Sequence, residues 1–169
     1  VAQTMIDNAS DAPKTHVLGV GNYAVPLYEV EPGFLSILDP APAQVAKPQG
    51  LSTSGRRSAL ANWLSDPNNP LSTRVVVNRV WHYHFGRGIV GTPSDFGLMG
   101  ERPANPELLD YLTSNFTANG WSMKKLHRMI LLSATYQQSS DYNAEAAKAD
   151  PDNKLLWRFS RRRLEGETV

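Results

Sequence analysis

From Arg56 onward apolar residues return at helical spacing, whereas before it they come in short runs cut by Pro and Gly. "RRSALANWLSDP" predicts a short helix with Leu60, Trp63 and Leu64 on one side, ended ahead of Pro67. The strongest pattern is "NNPLSTRVVVNRVWHYHFGRG", a helix over 70–85. Asn69 suits its N-cap, Pro70 its first position and Gly86 the left-handed residue after its last turn. At about 100° per residue Leu71, Val75, Trp81 and Phe85 share one side and Val76, Val77 and Val80 another. Only a narrow window near Ser72, Arg79 and Tyr83 is left for water, which marks the helix as central.

"ANPELLDYLTSNFTANGW" follows the same rules. Asn105 caps, Pro106 starts, Leu108, Leu109, Leu112 and Phe116 form the buried stripe, and Gly120 stops the helix. Ser122 then caps a helix over 123–137, with Leu126, Met129, Ile130, Ser133 and Ala134 inward and Lys124 and Arg128 outward. The short turn at Asn119–Trp121 predicts an antiparallel helical hairpin. "SSDYNAEAAKADPDN" reads as a polar loop, and "KLLWRFSRRRLEGE" as an extended piece leading into a further helical turn.

Residues 1–55 read as an extended arm and linker that packs on the helical domain. Six of the twelve prolines fall there (Pro13, Pro26, Pro32, Pro40, Pro42 and Pro48), and the β-favouring stretches Thr15–Leu18 and Tyr28–Val30 predict one or two short strands. Segment 39–55 has linker composition. The fold expected is mainly α: four to five helices packed around helix 70–85, with residues 56–169 as a helical domain truncated at its C-terminus.

Composition narrows the functional classes. The 41% of hydrophobic residues suffices for a core, and 17 basic against 16 acidic side chains leave no net basic footprint for nucleic acid. No apolar run is long enough to span a membrane. With no cysteine, the chain has no disulfide, no thiolate metal site, no cysteine nucleophile and no covalent c-type haem attachment.

Candidate chemistry starts on helix 70–85. Arg74, Asn78 and His82 stand at i, i+4 and i+8, so they share the face that carries Leu71, Trp81 and Phe85. An amide and a guanidinium buried there need partners. Two readings follow: an internal network that anchors the arm or the following loop, or the polar wall of a pocket. Asn78 in particular needs partners from another segment, because helix backbone groups are already used. Arg74, His82 and the 86–97 loop are the candidates.

The loop "FGRGIVGTPSDFGLMGERP" is rich in glycine but follows a helix and lacks the phosphate-loop pattern G-x-x-x-x-G-K-[ST]. Its glycines suggest positive φ at several points. Arg87, Asp95 and Arg102 complete, with Arg74, Asn78 and His82, the candidate pocket; alternatively Arg87, Asp95, Glu101 and Arg102 pair among themselves. No metal site is expected, since no two histidines stand at i, i+4. His82 or His84 with His127 and Asp95 is the weak alternative. The cluster Arg158, Arg161, Arg162 and Arg163 is too small for a nucleic-acid surface and suits pairing with Glu165 and Glu167.

The string "GRRSALANWLSDPNNPLSTRVVVNRVWHYHFGRGIVGTPSDFGLMGERPANPELLDYL" resembles the planctomycete secreted domain family, a family of unknown function. The resemblance continues through "GWSMKKLHRMILLSATYQQSS" and "LLWRFSRRRLEGE", and more loosely over 13–40. In similar proteins "THV" is followed by an Arg-Gly pair, whereas Val20 precedes Gly21 here. The resemblance implies a large exported parent protein with this domain at its C-terminal end. It also implies a cytochrome c-type domain elsewhere in that protein, so haem is expected there and no cofactor in this chain. The expected role is a non-catalytic scaffold or interaction module, with other domains of the parent as partners. A catalytic or carbohydrate-binding domain, with polysaccharide as the partner, is the alternative. The family implies no reaction, so whether this chain is an enzyme stays open.

Overall fold

The computed structural model describes residues 11–163 and 166–168. The chain divides into two compact units, Val1–Asn69 and Pro70–Val169. Among the described residues it has six helices and one two-stranded sheet. The mainly helical class is therefore as expected, with more helices than the four to five read from the sequence.

In the first unit β1 (Thr15–Leu18) and β2 (Pro26–Val30) pair antiparallel, with Thr15 opposite Val30 and His16 opposite Glu29. The register slips between His16 and Leu18. A short 3-10 turn over Gly19–Gly21 joins them, and Val20 holds φ 52°, a conformation that β-branched residues seldom adopt. Helix α1 (Arg56–Leu64) belongs to this unit. Its expected stripe is not buried: Leu60 and Leu64 are exposed, Ala59 is the buried position, and Trp63 stacks on Phe34 at 4.9 Å between ring centroids. The ring at Trp63 finds an aromatic neighbour in its own unit.

In the second unit α2 (Ser72–Phe85) starts two residues later than expected, with Leu71 and not Asn69 at the N-cap and Pro70 in the preceding turn, and ends as predicted, with Gly86 at φ 83° and its N–H bonded to the His82 carbonyl. Helix α3 (Pro106–Ala118) also starts as predicted, the Asn105 side chain accepting from the Leu108 N–H. Helix α4 (Met123–Leu131) is capped by Ser122 but stops short of the expected Gln137. Ser133 breaks it. Its hydroxyl donates to the Ile130 carbonyl at 2.6 Å and accepts from the Tyr136 N–H at 3.2 Å, which starts the one-turn α5 (Ala134–Gln137). Ala134 is consequently exposed rather than inward. The expected polar loop contains α6 (Ala144–Ala149), capped by Asn143, whose side chain accepts from the Glu145 and Ala146 N–H groups.

The core of the second unit combines Val77, Val80, Trp81 and Phe85 of α2 and Ile89 and Val90 of the loop. Leu109, Leu112 and Phe116 of α3 and Leu126 and Ile130 of α4 complete it. Leu71 and Tyr83 of the α2 region stay exposed. After α6 the chain is irregular yet tightly held. Asn153 and Leu156 adopt φ 53° and 55°, and the Asp150 carboxylate accepts from the Lys154 and Leu155 N–H groups. The Leu156 carbonyl accepts from the Gln138 side chain at 2.8 Å. Left-handed geometry in a leucine costs about 1 kcal/mol or more, and these bonds hold it in place.

Candidate functional site

Asn78 is fully buried, and its amide grips one residue of the loop from both sides. Its Nδ2 donates to the Val90 carbonyl at 3.0 Å, and its Oδ1 accepts from the Val90 N–H at 2.8 Å. A side chain thus completes the backbone pairing that Val90, itself buried, would otherwise lack. The loop, not Arg74 or His82, is the partner. Gly88 makes the approach possible: a Cβ there would stand 2.7 Å from Asn78 Nδ2 and would overlap the Val90 carbonyl oxygen.

That is a correction to the reading of the loop glycines. Of those in 86–100, Gly86 has positive φ, while Gly88 and Gly100 are needed because backbone carbonyls come too close for a side chain; at Gly91 the neighbours are side-chain ends that can move aside. At Gly91 the crowding group is the Arg87–Glu101 ion pair, and at Gly100 it is the Asp95 carbonyl.

The six candidate pocket residues do separate jobs. Arg74 donates to Asp110 of α3 at 2.6 and 3.1 Å and to the Pro70 carbonyl at 2.9 Å. Arg87 pairs with Glu101. Asp95 staples its own loop: its Oδ1 accepts from the Gly97 N–H at 2.8 Å, and its carbonyl accepts from the Thr92 hydroxyl at 2.7 Å. Arg102 is exposed. His82 is half-buried, and its Nδ1 is enclosed with no hydrogen-bond partner among the described residues. A cleft of about 300 Å³ takes Arg74, Glu101 and Asp110 into its wall, but Asn78, His82, Arg87, Asp95 and Arg102 do not line it. The arrangement matches the internal-network reading at Arg74, Asn78, Arg87 and Asp95.

Of the weak alternative that grouped His82 or His84 with His127 and Asp95, the structure brings together His84 of α2 and His127 of α4, while the Asp95 carboxylate binds its own loop. Their ring nitrogens, Nε2 and Nδ1, lie 2.8 Å apart, with the edge of Tyr136 against His84. Burial pushes the His84 imidazole below its ordinary 6.5, and the charges of His127 and Arg162 add to this. The two histidines face each other from separate helices, 43 residues apart in sequence. Among the described residues no group of three or more His, Asp or Glu side chains is arranged to hold a metal ion.

In the arginine cluster, Arg158 lies over the Trp157 ring at 4.8 Å and the Tyr142 ring at 5.6 Å, and Arg161 donates to the Ser140 hydroxyl at 3.1 Å. The expected partner Glu165 lies outside the described residues. A second concavity, of about 440 Å³, opens among α2, α3, α4 and residues 154–156; it includes Trp81, Leu108, Leu112, Met129, Ile130 and Lys154 in its wall.

Fold and site together define a mainly helical domain whose polar residues at the expected site mostly pair internally. No helix among the described residues is long and apolar enough to cross a membrane. Residues 56–169 match the family PSD1, described as a protein of unknown function (DUF1553), and the chain belongs to that family. The matched range takes in α1 as well as the whole second unit. No curated protein and no solved structure matches the chain.

Proposed function

We propose that this chain is a non-catalytic interaction module of a large exported planctomycete protein. Its partner is another domain of that parent, where a cytochrome c-type domain carries the haem. Helix α2 serves as the central scaffold, and the loop after it as the docking element. The observation that carries this reading is the loop tip. Leu98 and Met99 are fully exposed, at 104% and 92%, although the loop beneath them is held by Asn78, Thr92, Asp95 and the Arg87–Glu101 pair. A well-anchored loop with two large apolar side chains at its tip is suited to binding, since ordered long loops with exposed apolar residues commonly mark contact surfaces. The internal pairing of Arg74, Arg87 and Asp95 supports a structural rather than a catalytic use of those groups.

The test is calorimetric titration of the separately produced haem-bearing part of the parent into this chain. Saturable binding is expected, lost in the Leu98→Asp, Met99→Asp double variant while its thermal melt stays unchanged. Absence of binding by the unaltered chain overturns the proposal.

A further inference from the structure

We infer that the concavity among α2, α3, α4 and residues 154–156 is a binding site for a small amphipathic monoanion, a carboxylate on an apolar body. This goes beyond the docking role and stands without it. Its volume of about 440 Å³ falls within the usual range for small-molecule pockets. The walls are mostly apolar: Trp81, Ile89, Leu108, Leu112, Met129 and Ile130. The space is an open cleft, with buried Trp81, Leu112 and Ile130 in its wall and exposed Tyr111 and Leu155 beside them.

Two further features give the site a sign. Lys154 is the single charged residue in its wall; its ammonium forms a long ion pair, 3.5 Å, with exposed Asp152 outside the lining, which leaves its other donors for a ligand. Asn105, the N-cap of α3, also lines it, so the positive end of a thirteen-residue helix lies beside the space. The other acidic groups near that helix end are engaged or outside the wall: Asp110 pairs with Arg74, and Glu107 does not line the space. An ammonium and a helix N-terminus beside an apolar body favour an anionic head over a cationic one.

The wall at Leu156 is a built feature. Its φ of 55° is held by the Gln138 amide on its carbonyl and by its own N–H on the Asn153 carbonyl. Strained backbone maintained by specific bonds is common at ligand sites.

Decanoate, decanol and decylamine, each kept below its micelle-forming concentration, are titrated into the whole chain, with tryptophan fluorescence as the readout because Trp81 lines the site. Decanoate is expected to bind saturably and more tightly than decylamine. Lys154→Met is expected to weaken decanoate about fivefold, the scale of a partly exposed charge contact, and to leave decanol essentially unchanged. Ala104→Trp fills the space from its rim, and Thr135→Phe fills it from another wall; either, with an unchanged thermal melt, is expected to abolish binding of all three. The inference is overturned if decanoate gives no saturable signal, if decylamine binds as tightly as decanoate, or if both folded filler variants bind like the unaltered chain.

Discussion

The two units treat their apolar residues in opposite ways. In the second, Val77, Trp81, Phe85, Leu109, Leu112, Phe116, Leu126 and Ile130 are buried against one another in a single cluster. In the first, Ala59 is the buried apolar residue among those described, while Val20, Tyr23, Leu27, Tyr28 and Ile37 are exposed. The first unit is held by strand pairing, by the Phe34–Trp63 stack and by scattered polar links such as Asn69 to the Trp63 carbonyl. Regular secondary structure and a stable core are therefore separate matters: one unit has both, and the other has mainly the former. Segments with few buried apolar groups open at lower free energy than those within a contiguous core.

The comparison is broken most directly at Trp81. Trp81→Ala is expected to cost about 3–5 kcal/mol, the range for buried aromatics. A loss below about 1 kcal/mol in chemical denaturation, typical of surface positions, would show that the core lies elsewhere. Asn78 comes next. Asn78→Ala leaves the Val90 N–H and carbonyl buried without their partner and is expected to cost about 1–3 kcal/mol. Asn78→Leu is expected to be worse, since it strands the same groups and adds bulk against Gly88. Gly88→Ala tests the same clasp from the other side, because its Cβ would overlap the Asn78 amide. If Asn78→Leu proves as stable as the unaltered chain, the clasp contributes nothing.

The second unit was also the more legible in sequence. Helix starts at Asn105 and Ser122 and the stop at Gly86 follow from side chains acting on backbone groups a few residues away, and such signals are local. Asn78 was legible for a related reason: a buried amide on an apolar helix must reach another segment, and the nearest loop was one of few choices. What stayed hidden depends on distance or competition. Ser133 sits on a good helical stripe, yet its hydroxyl captures backbone groups and ends α4. Asp110, the partner of Arg74, lies 36 residues away on α3. The 440 Å³ space is formed by several segments distant in sequence and leaves no mark in any one of them. The loop glycines were read through φ because sequence shows the residue and not the neighbour that would collide with it.

A smaller effect is expected in the first unit. Phe34→Ala removes the partner of Trp63, and an aromatic pair contributes about 0.5–1.5 kcal/mol beyond its buried area. Since few other apolar groups are buried there, the loss should be confined to that unit. Hydrogen exchange is expected to quicken in β1, β2 and α1 and to stay unchanged in α2 and α3. If α2 and α3 lose protection equally, the two units unfold as one and the contrast between them fails.

The smallest expected effect is a pH dependence in the second unit. His84 is partly buried beside His127, with Tyr136 against its ring and the Arg162 charge nearby; Lys124 and Arg128 share a surface cleft with His127. Burial, then the charges of His127 and Arg162, lower its proton affinity below the ordinary 6.5 in the folded chain. Below that value the unfolded chain binds the proton more readily than the folded one, so this group's contribution to stability is present above about pH 6.5 and is lost as the pH falls towards the folded value. The thermal midpoint should therefore drop between about pH 7.5 and about pH 5.5, with carboxylates contributing little in that window. His84→Phe keeps an aromatic ring against Tyr136 and removes the titration, so its midpoint should fall less over the same interval. An equal fall in both proteins would mean that His84 does not link the α2–α4 contact to pH.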